Sequence, residues 1–350
     1  MQNNLHSNST KSTDHFLTFL TSSRNIISQN LKTHLHRALP LTHTTNEIYH
    51  YAIFPTGKLF RPLLVYSIYC DLLNSDLGLD LNRDRDRLLS SPDNNHSLLA
   101  SALEIHHSYT LVHDDLPALD NDDYRRNKLS THKAWGEWKA LLIGDGLLNI
   151  SYLLLSKINH PNSQKVFKLI SSSLGAKGLI LGQILDLSIK EQKFSFSDII
   201  KIHELKTARL IEVSILSSFL LSLDPLNSKG SEDSKNNDYT LTKDLFRLAY
   251  NLGISFQLLD DLLDINSSDK NKHEKEINPF IHFPKESMIL TIKSISQVKK
   301  IIVKYDLRCM NMVVAEYLNE VKKNLEKCLE LFNHLELFSD LLSQLKDNHQ

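Results

Sequence analysis

Two clusters of aspartates are the residues of this chain best suited to chemistry. Carboxylates are rarely buried unless they are paired or bind cations, and each cluster follows a strongly apolar helical pattern. Oxygen-only ligation favours magnesium over zinc, and magnesium sites commonly include substrate phosphates. The clusters therefore predict a magnesium site for a phosphorylated substrate. The six residues are Asp114, Asp115, Asp120, Asp260, Asp261 and Asp264.

The second cluster has regular helical spacing. Gln257, Asp260, Asp261 and Asp264 share one helical face, and Gly253 lies one turn earlier on it. Leucines occupy the opposite face, so we expect this helix to lie between a hydrophobic core and a polar cavity.

The first cluster is less regular, because Asp114 and Asp120 are separated by Pro117. Proline lacks an amide donor and disturbs a helix, so the helix is predicted to break or bulge here. Such a bulge returns Asp120 to the side of Asp114.

Basic residues accompany this cluster. Arg125 and Arg126 follow it, and Lys58 and Arg61 lie upstream, while His107 precedes Asp114 by two helical turns. Paired arginines beside cation-binding carboxylates suit a polyanion, and diphosphate is the natural candidate. This predicts two anion sites, one bridged by metal and one held by side-chain cations.

Composition sets the elements that must position these residues. The chain has 350 residues, of which 41% are hydrophobic, with only 10 Gly and 9 Pro. Few breakers and apolar residues at steps of three and four predict long helices. We expect an all-α, single-domain bundle of long helices around a central cavity, over residues 16–347.

Polar segments flank and interrupt the helical pattern. Residues 1–15 are predicted to be a disordered tail, and 74–97 and 224–243 to be solvated polar loops. The charge runs in these loops are alternatively docking surfaces.

Several classes of protein are disfavoured. A net charge of -1 without a basic stretch argues against nucleic-acid binding. Cys70, Cys309 and Cys328 form no C-x-x-C pair, which favours a reducing cytoplasm over a disulfide framework or a zinc site. The longest apolar stretch, 210–223, is too short to span a bilayer.

Four segments together resemble a known family, the short-chain trans-prenyl diphosphate synthases, with the bacterial farnesyl diphosphate synthases as the nearest type. The similarity runs in matching order from Tyr51 to Asp264. The segments are EIHHSYTLVHDDLPALDNDDYRR, GKLFRP, LKTARL and FQLLDDLLD.

The resemblance implies an isoprenoid synthase fold, a homodimer and three Mg2+ ions held by the six aspartates around an allylic diphosphate. It also implies a role for each matching residue. Isopentenyl diphosphate would be held by Lys58, Arg61, His107 and Arg126. The allylic diphosphate would contact Arg125, Lys206, Thr207, Gln257 and Lys285, and of these Lys206, Thr207 and Gln257 would also be catalytic by stabilising the allylic cation. Gln183 and Asp186 match a further cavity motif.

The implied activity is magnesium-dependent, head-to-tail condensation of isopentenyl diphosphate with dimethylallyl and geranyl diphosphate to give farnesyl diphosphate. In the family, an aromatic residue five positions before the first Asp motif, together with two extra residues inside the motif, is associated with stopping at fifteen carbons. Tyr109 has that position, although helical geometry places Thr110 more directly below Asp114. Geranyl or geranylgeranyl diphosphate synthase are the alternatives.

The chain departs from the family pattern after the second cluster. The family has a glycine-flanked lysine there, whereas this segment contains no glycine; Lys285 lies near the expected distance, and the alternatives are Lys270, Lys272 and Lys275. Leu181, Asn127 and Ala208 replace family glycines.

Two other functions compete with this one. His113-Asp114 on a helix is compatible with a His-Asp metal phosphohydrolase, although the second cluster offers only carboxylates. The missing glycine-lysine segment is compatible with a degenerate, non-catalytic prenyltransferase subunit. Either aspartate cluster alone could also be a solvated acidic helix face.

Overall fold

A computed structural model describes most of the chain, and its residues are helical apart from one small hairpin and the connecting turns. The all-α prediction is confirmed. The described residues are 3–40, 43–77, 89–189, 193–223, 232–265, 277–327, 332 and 337–346.

The chain divides into two compact units, 1–163 with 308–313, and 164–307 with 314–350. The single domain over 16–347 that the sequence indicates stays a prediction. The elements of the first unit are α1 (Asn3–Ala38), α2 (Asn46–Ile53), α3 (Phe60–Leu77), α4 (Asn95–Asp114), β1 (Tyr124–Arg125), β2 (Lys128–Leu129), α5 (Thr131–Trp135) and α6 (Glu137–Ser156).

The centre of the first unit is α4. It is buried on almost every side between His96 and Tyr109, as expected of a helix that is apolar around its circumference. It packs against α6, α3 and α1. His107 and Asp114, two of the predicted site residues, thus lie on a helix that is packed against three others.

The second unit is built around one long helix that packs against two others and against a short π-helical turn. Its elements are α7 (Ser163–Leu174, whose first residue belongs to the first unit), α8 (Leu179–Ser188), α9 (Phe196–His203), the π turn (Glu204–Ala208), α10 (Arg209–Ser222), the long helix α11 (Glu232–Asp264), α12 (Pro279–His282), α13 (Pro284–Lys304), α14 (Arg308–Glu326, shared with the first unit) and α15 (Phe338–Gln344).

Three segments predicted to be irregular are partly helical. The backbone of 3–15 belongs to α1, because 3–38 contains neither glycine nor proline to end the helix. Residues 232–243 likewise extend α11 without a breaker, so the loop prediction is wrong there. At 74–97 both ends are helical, since α3 reaches Leu77 and α4 begins at Asn95. Residues 78–88 and 224–231 lie outside the described residues.

One helix in the described part of the chain, α6, is long and apolar enough to cross a membrane by length and composition alone. It packs along α4 and buries Ile143, Leu147 and Leu154, as a core helix does. Within the described residues there is therefore no clear membrane span.

Candidate active site

The first aspartate cluster begins at the last residue of α4. The helix ends at Asp114, and the Asp120 amide donates to the Asp114 carbonyl at 2.8 Å, closing a turn around Pro117. The predicted break is confirmed, and it returns the backbone of Asp120 to Asp114.

Arg125 joins two carboxylates of this region. Its Nη2 atom donates to Asp115 Oδ1 at 2.6 Å and to Asp122 Oδ2 at 2.9 Å. Burial, with a smaller contribution from the charges of Asp122 and Asp120, raises the pKa of Asp115 to about 6 against the opposing effect of Arg125. Such crowded oxygen donors suit a hard cation, which would relieve their repulsion.

A tight turn between β1 and β2 sets the direction of the paired arginines. Arg125 pairs with Lys128, and the two residues between them, Arg126 and Asn127, have φ values of 53° and 60°. Two positive φ angles fit a hairpin turn of type I′, and asparagine adopts this conformation more readily than most residues. Asn127 therefore fits a turn position that favours glycine or asparagine.

The guanidinium of Arg126 is enclosed by backbone carbonyls and by Gly57. It donates to the carbonyls of Ile53 at 3.1 Å and Pro55 at 3.2 Å. A Cβ on Gly57 would lie only 3.3 Å from Arg126 Nη2, so the missing side chain makes room for it. Glu104, 2% exposed, lies 3.8 Å away, and burial raises its pKa to about 7.

Arg61 and His107 form a second cationic contact in the same unit. Arg61 Nη1 lies 3.3 Å from His107 Nε2, and because a guanidinium can only donate, the imidazole accepts through Nε2. Burial, then Arg61 and Arg126, hold the pKa of His107 well below its usual value. Lys58 is exposed at the surface. The first unit thus brings Arg61, His107 and Arg126 together.

The two residues predicted to set product length have different surroundings. Tyr109 is 4% exposed and makes edge-to-face contacts with His106 and His113. Thr110 is half-buried, and its hydroxyl donates to the His107 carbonyl at 2.8 Å. Of the two residues, only Tyr109 has an aromatic ring, and that ring is held by its contacts with His106 and His113.

In the second unit, a hydrogen-bonded chain joins the π turn to the second aspartate cluster. Thr207 Oγ1 donates to Gln257 Oε1 at 2.7 Å, and Gln257 Nε2 donates to Asp261 Oδ1 at 2.9 Å. Asp260 and Asp264 are half-buried on the same helix. The structure therefore fixes the orientation of the Gln257 amide.

Lys206 and its neighbours are also tightly placed. Its Nζ atom donates to Asp186 Oδ2 of α8 at 2.6 Å. A Cβ on Gly182 would lie 2.8 Å from the carbonyl carbon of Leu205, so α8 approaches the backbone of the π turn closely. Gln183 is half-buried on α8. π turns are rare and occur often at functional sites.

Sequence reasoning missed two buried residues. His203 Nε2 lies 3.2 Å from Asp261 Oδ2, and burial lowers the pKa of His203 to about 4. Glu104 lies beside Arg126, as described above. Each lies three residues, close to one helical turn, before a predicted site residue, Lys206 and His107 respectively, and that spacing was the available signal.

Of the four lysines that could close over the allylic diphosphate, one lies within the described residues. Lys285 is exposed in the first turn of α13. Lys270, Lys272 and Lys275 lie outside the described residues.

Among the residues described, no three histidine, cysteine, aspartate or glutamate side chains converge closely enough to hold a metal ion. The donors that lie near one another around Asp115 are nevertheless all carboxylates, which is the ligand chemistry of magnesium rather than zinc.

The helical fold, with its two carboxylate-bearing helices and paired arginines, is that of the isoprenoid synthases. The family profile described as Polyprenyl synthetase matches residues 42–290. The chain belongs to this family, which confirms the resemblance carried by the four sequence segments.

Similar proteins agree with this assignment. Farnesyl diphosphate synthase of Micrococcus luteus is 32% identical over 250 residues, covering 71% of this chain and 74% of the relative. Geranylgeranyl diphosphate synthase of Cyanophora paradoxa is 31% identical over 259 residues, covering 73% and 76%. A crystal structure of geranyltransferase from Helicobacter pylori, complexed with magnesium and isoprenyl diphosphate, matches with a TM-score of 0.67 at 25% identity, covering 88% of this chain and 98% of that one.

Proposed function

We propose that this chain is a prenyltransferase that condenses isopentenyl diphosphate head-to-tail with dimethylallyl and then geranyl diphosphate, forming farnesyl diphosphate and releasing diphosphate. One observation carries the proposal: the hairpin that bears Arg125 and Arg126 lies beside the first carboxylate cluster. Arg125 Nη2 lies 2.6 Å from Asp115 Oδ1. The similarity to the Micrococcus luteus enzyme, named farnesyl diphosphate synthase, supports the same activity.

Magnesium fits the donors of both clusters. We propose three Mg2+ ions per active site, which when bound neutralise the charge of the leaving diphosphate. The magnesium in the Helicobacter pylori structure supports this choice of metal. The proposed ligands are Asp114, Asp115, Asp120, Asp260, Asp261 and Asp264.

The anion-binding side chains follow from the same proposal. Arg125 and Lys206 hold the allylic diphosphate, and Lys285 adds to them from the start of α13. Lys58, Arg61, His107 and Arg126 hold isopentenyl diphosphate. The neutral His107 leaves Arg61 and Arg126 as the permanent charges, and both are oriented before substrate arrives.

The residues of the π turn and α11 then stabilise the reacting carbon atoms. The allylic C–O bond breaks, the alkene of isopentenyl diphosphate forms the new C–C bond, and the adduct loses a proton to the departing diphosphate. Oxygen atoms of Lys206, Thr207 and Gln257 face the developing positive charge. The Thr207 to Gln257 hydrogen bond keeps these dipoles in place. No protein nucleophile is needed, because the C–O bond ionises and the departing diphosphate takes the proton.

Product length is the finer part of the proposal. We propose that the ring of Tyr109, with Thr110 beside it, ends the space available to the growing chain at fifteen carbons. Geranyl and geranylgeranyl diphosphate synthesis are the alternatives, and the Cyanophora paradoxa relative bears the latter name.

His113 could offer a metal only its Nδ1 atom. Its Nε2 atom lies 3.0 Å from the Leu141 carbonyl, which can only accept, so Nε2 donates. The phosphohydrolase alternative is disfavoured because the six proposed ligands are all carboxylates, whereas such an enzyme needs several histidine ligands.

We also propose that the protein is a homodimer and is cytoplasmic. Trp138, Leu141 and Leu142 form an exposed apolar face of α6, which a second copy would cover. Cys70 and Cys309 are free, as is usual in a reducing compartment. Leu142→Glu should yield monomers by light scattering, whereas Ile289→Glu, a comparably exposed residue of α13, should leave the dimer intact. A monomeric wild-type protein would contradict the dimer.

The activity is tested by incubating purified protein with magnesium, labelled isopentenyl diphosphate and geranyl diphosphate. Labelled, acid-labile allylic product that disappears on chelation of magnesium supports the proposal. Folded, magnesium-saturated protein that forms none would favour the degenerate subunit, and release of inorganic phosphate alone would favour hydrolysis.

A further inference from the structure

Aromatic rings on α4 form a continuous row around Tyr109. The ring of His106 lies 4.6 Å from that of Tyr109 at an interplanar angle of 87°, and His113 lies 5.7 Å away on the other side at 85°. Edge-to-face contacts at these distances are favourable and directional. The position of the Tyr109 ring therefore depends on its histidine neighbours.

His106 is held in turn by two consecutive residues of α6. The ring of Tyr152 lies 6.2 Å away at 89°, and His106 Nδ1 lies 3.3 Å from Ser151 Oγ. The Ser151 hydroxyl donates its only hydrogen to the Leu148 carbonyl at 2.7 Å, so Nδ1 donates to Ser151. This hydrogen bond and the contact with the Tyr152 ring hold His106 in place.

The rings of His106, Tyr109 and Tyr152 are uncharged, as the end of a hydrocarbon-binding space must be. Burial lowers the pKa of His106 to about 3, so the imidazole stays neutral at physiological pH. Burial, followed by Tyr152 and Asp114, raises the pKa of Tyr109, and burial raises that of Tyr152. A hydrocarbon chain reaching Tyr109 would meet the neutral rings of Tyr109 and His106.

We propose that Tyr152 of α6 is a positioning residue for product length, which holds His106 against Tyr109 and so fixes how far the growing chain can extend. The inference rests on the proposed function, because it assigns a second determinant to the chain-length wall. Tyr152 acts through His106 and has no role in binding either diphosphate.

The test compares product lengths from geranyl and isopentenyl diphosphate. Tyr152→Ala removes the ring that contacts His106, so His106 and Tyr109 can move, and we expect products of twenty carbons or more to rise at least fivefold relative to wild type. Tyr152→Phe keeps the ring and should retain the wild-type distribution. Tyr49→Ala is the matched control, since that half-buried tyrosine packs against the same helix at Gly146.

A merely structural role would lower the yield without changing the distribution, so product length is the deciding readout. Folding is checked by circular dichroism, and Tyr152→Leu replaces Tyr152→Ala if the alanine variant does not fold. Wild-type products from a folded Tyr152→Ala or Tyr152→Leu enzyme, while Tyr109→Ala lengthens them, would overturn this inference and leave the Tyr109 wall standing. No lengthening by Tyr109→Ala would instead overturn the wall itself.

The double variant Tyr109→Ala with Tyr152→Ala separates indirect from direct action. If Tyr152 acts through Tyr109, the double variant gives the distribution of Tyr109→Ala alone. Products longer than those of Tyr109→Ala would overturn the positioning role, since Tyr152 would then contact the chain itself.

Discussion

Substituting alanine for Gly253 should disable the reaction more than it destabilises the fold. A Cβ at this position of α11 would lie 2.6 Å from Ala208 Cα and closer still to its Cβ, whereas ordinary contacts begin at 3.4 Å. Ala208 ends the π turn that carries Lys206 and Thr207, so α11 and this turn must separate by roughly 1 Å.

The two consequences differ in size. Overpacking costs about 1–3 kcal/mol, and replacing a helical glycine by alanine offsets about 1 kcal/mol of it, so the free energy of unfolding should fall by only about 0–2 kcal/mol. A shift of about 1 Å in catalytic groups can cost on the order of 100-fold in rate. The Thr207 to Gln257 hydrogen bond, now 2.7 Å, spans the interface that must open.

The assay is urea unfolding together with kcat for condensation of isopentenyl and geranyl diphosphate. Asn251→Ala is the control, because this residue lies on the same helix and its side chain donates to the Arg247 carbonyl one turn earlier. Adding Ala208→Gly to the Gly253→Ala variant removes one of the two close contacts and should restore part of the rate. Turnover of Gly253→Ala within twofold of wild type would refute the reasoning.

Three further outcomes are expected. Asp260→Ala should abolish condensation, because a proposed magnesium ligand is lost, while circular dichroism stays helical; retained turnover would count against the assignment. Tyr109→Ala should lengthen products, seen by chromatography of the dephosphorylated alcohols, and an unchanged chain length would remove Tyr109 as the wall. Burial raises the pKa of Glu104 from 4.5 to about 7, so the folded state favours its protonated form. Stability from this group is fully present below pH 4.5 and is lost as pH rises through 7, so between pH 4 and 8 wild type should lose about 3 kcal/mol of unfolding free energy relative to Glu104→Gln. Parallel pH profiles of the two proteins would refute it.

Much of the fold was predictable because local patterns determine it. The scarcity of glycine and proline predicted the helices, and Pro117 predicted the end of α4 at Asp114. The helical extent of 232–243 and of 3–15 was missed, because polar composition resembles a loop although nothing in these segments breaks a helix.

The site was predictable in its residue types but not in its contacts. Motif spacing indicated Arg125 and Gln257, whereas the bond from Arg125 to Asp115 depends on a hairpin turn whose residues are not a strong turn signal. Contacts such as that of His106 with Tyr152 join residues far apart in the chain, and helical periodicity carries no information about which helices pack together.

The chain length of the product made by wild-type enzyme tests the central claim most directly. Purified protein with magnesium and labelled isopentenyl diphosphate is given either dimethylallyl or geranyl diphosphate, and the products are separated by length. The account predicts a fifteen-carbon product from both allylic substrates. Products that stop at ten carbons, continue to twenty, or do not form at all would contradict it.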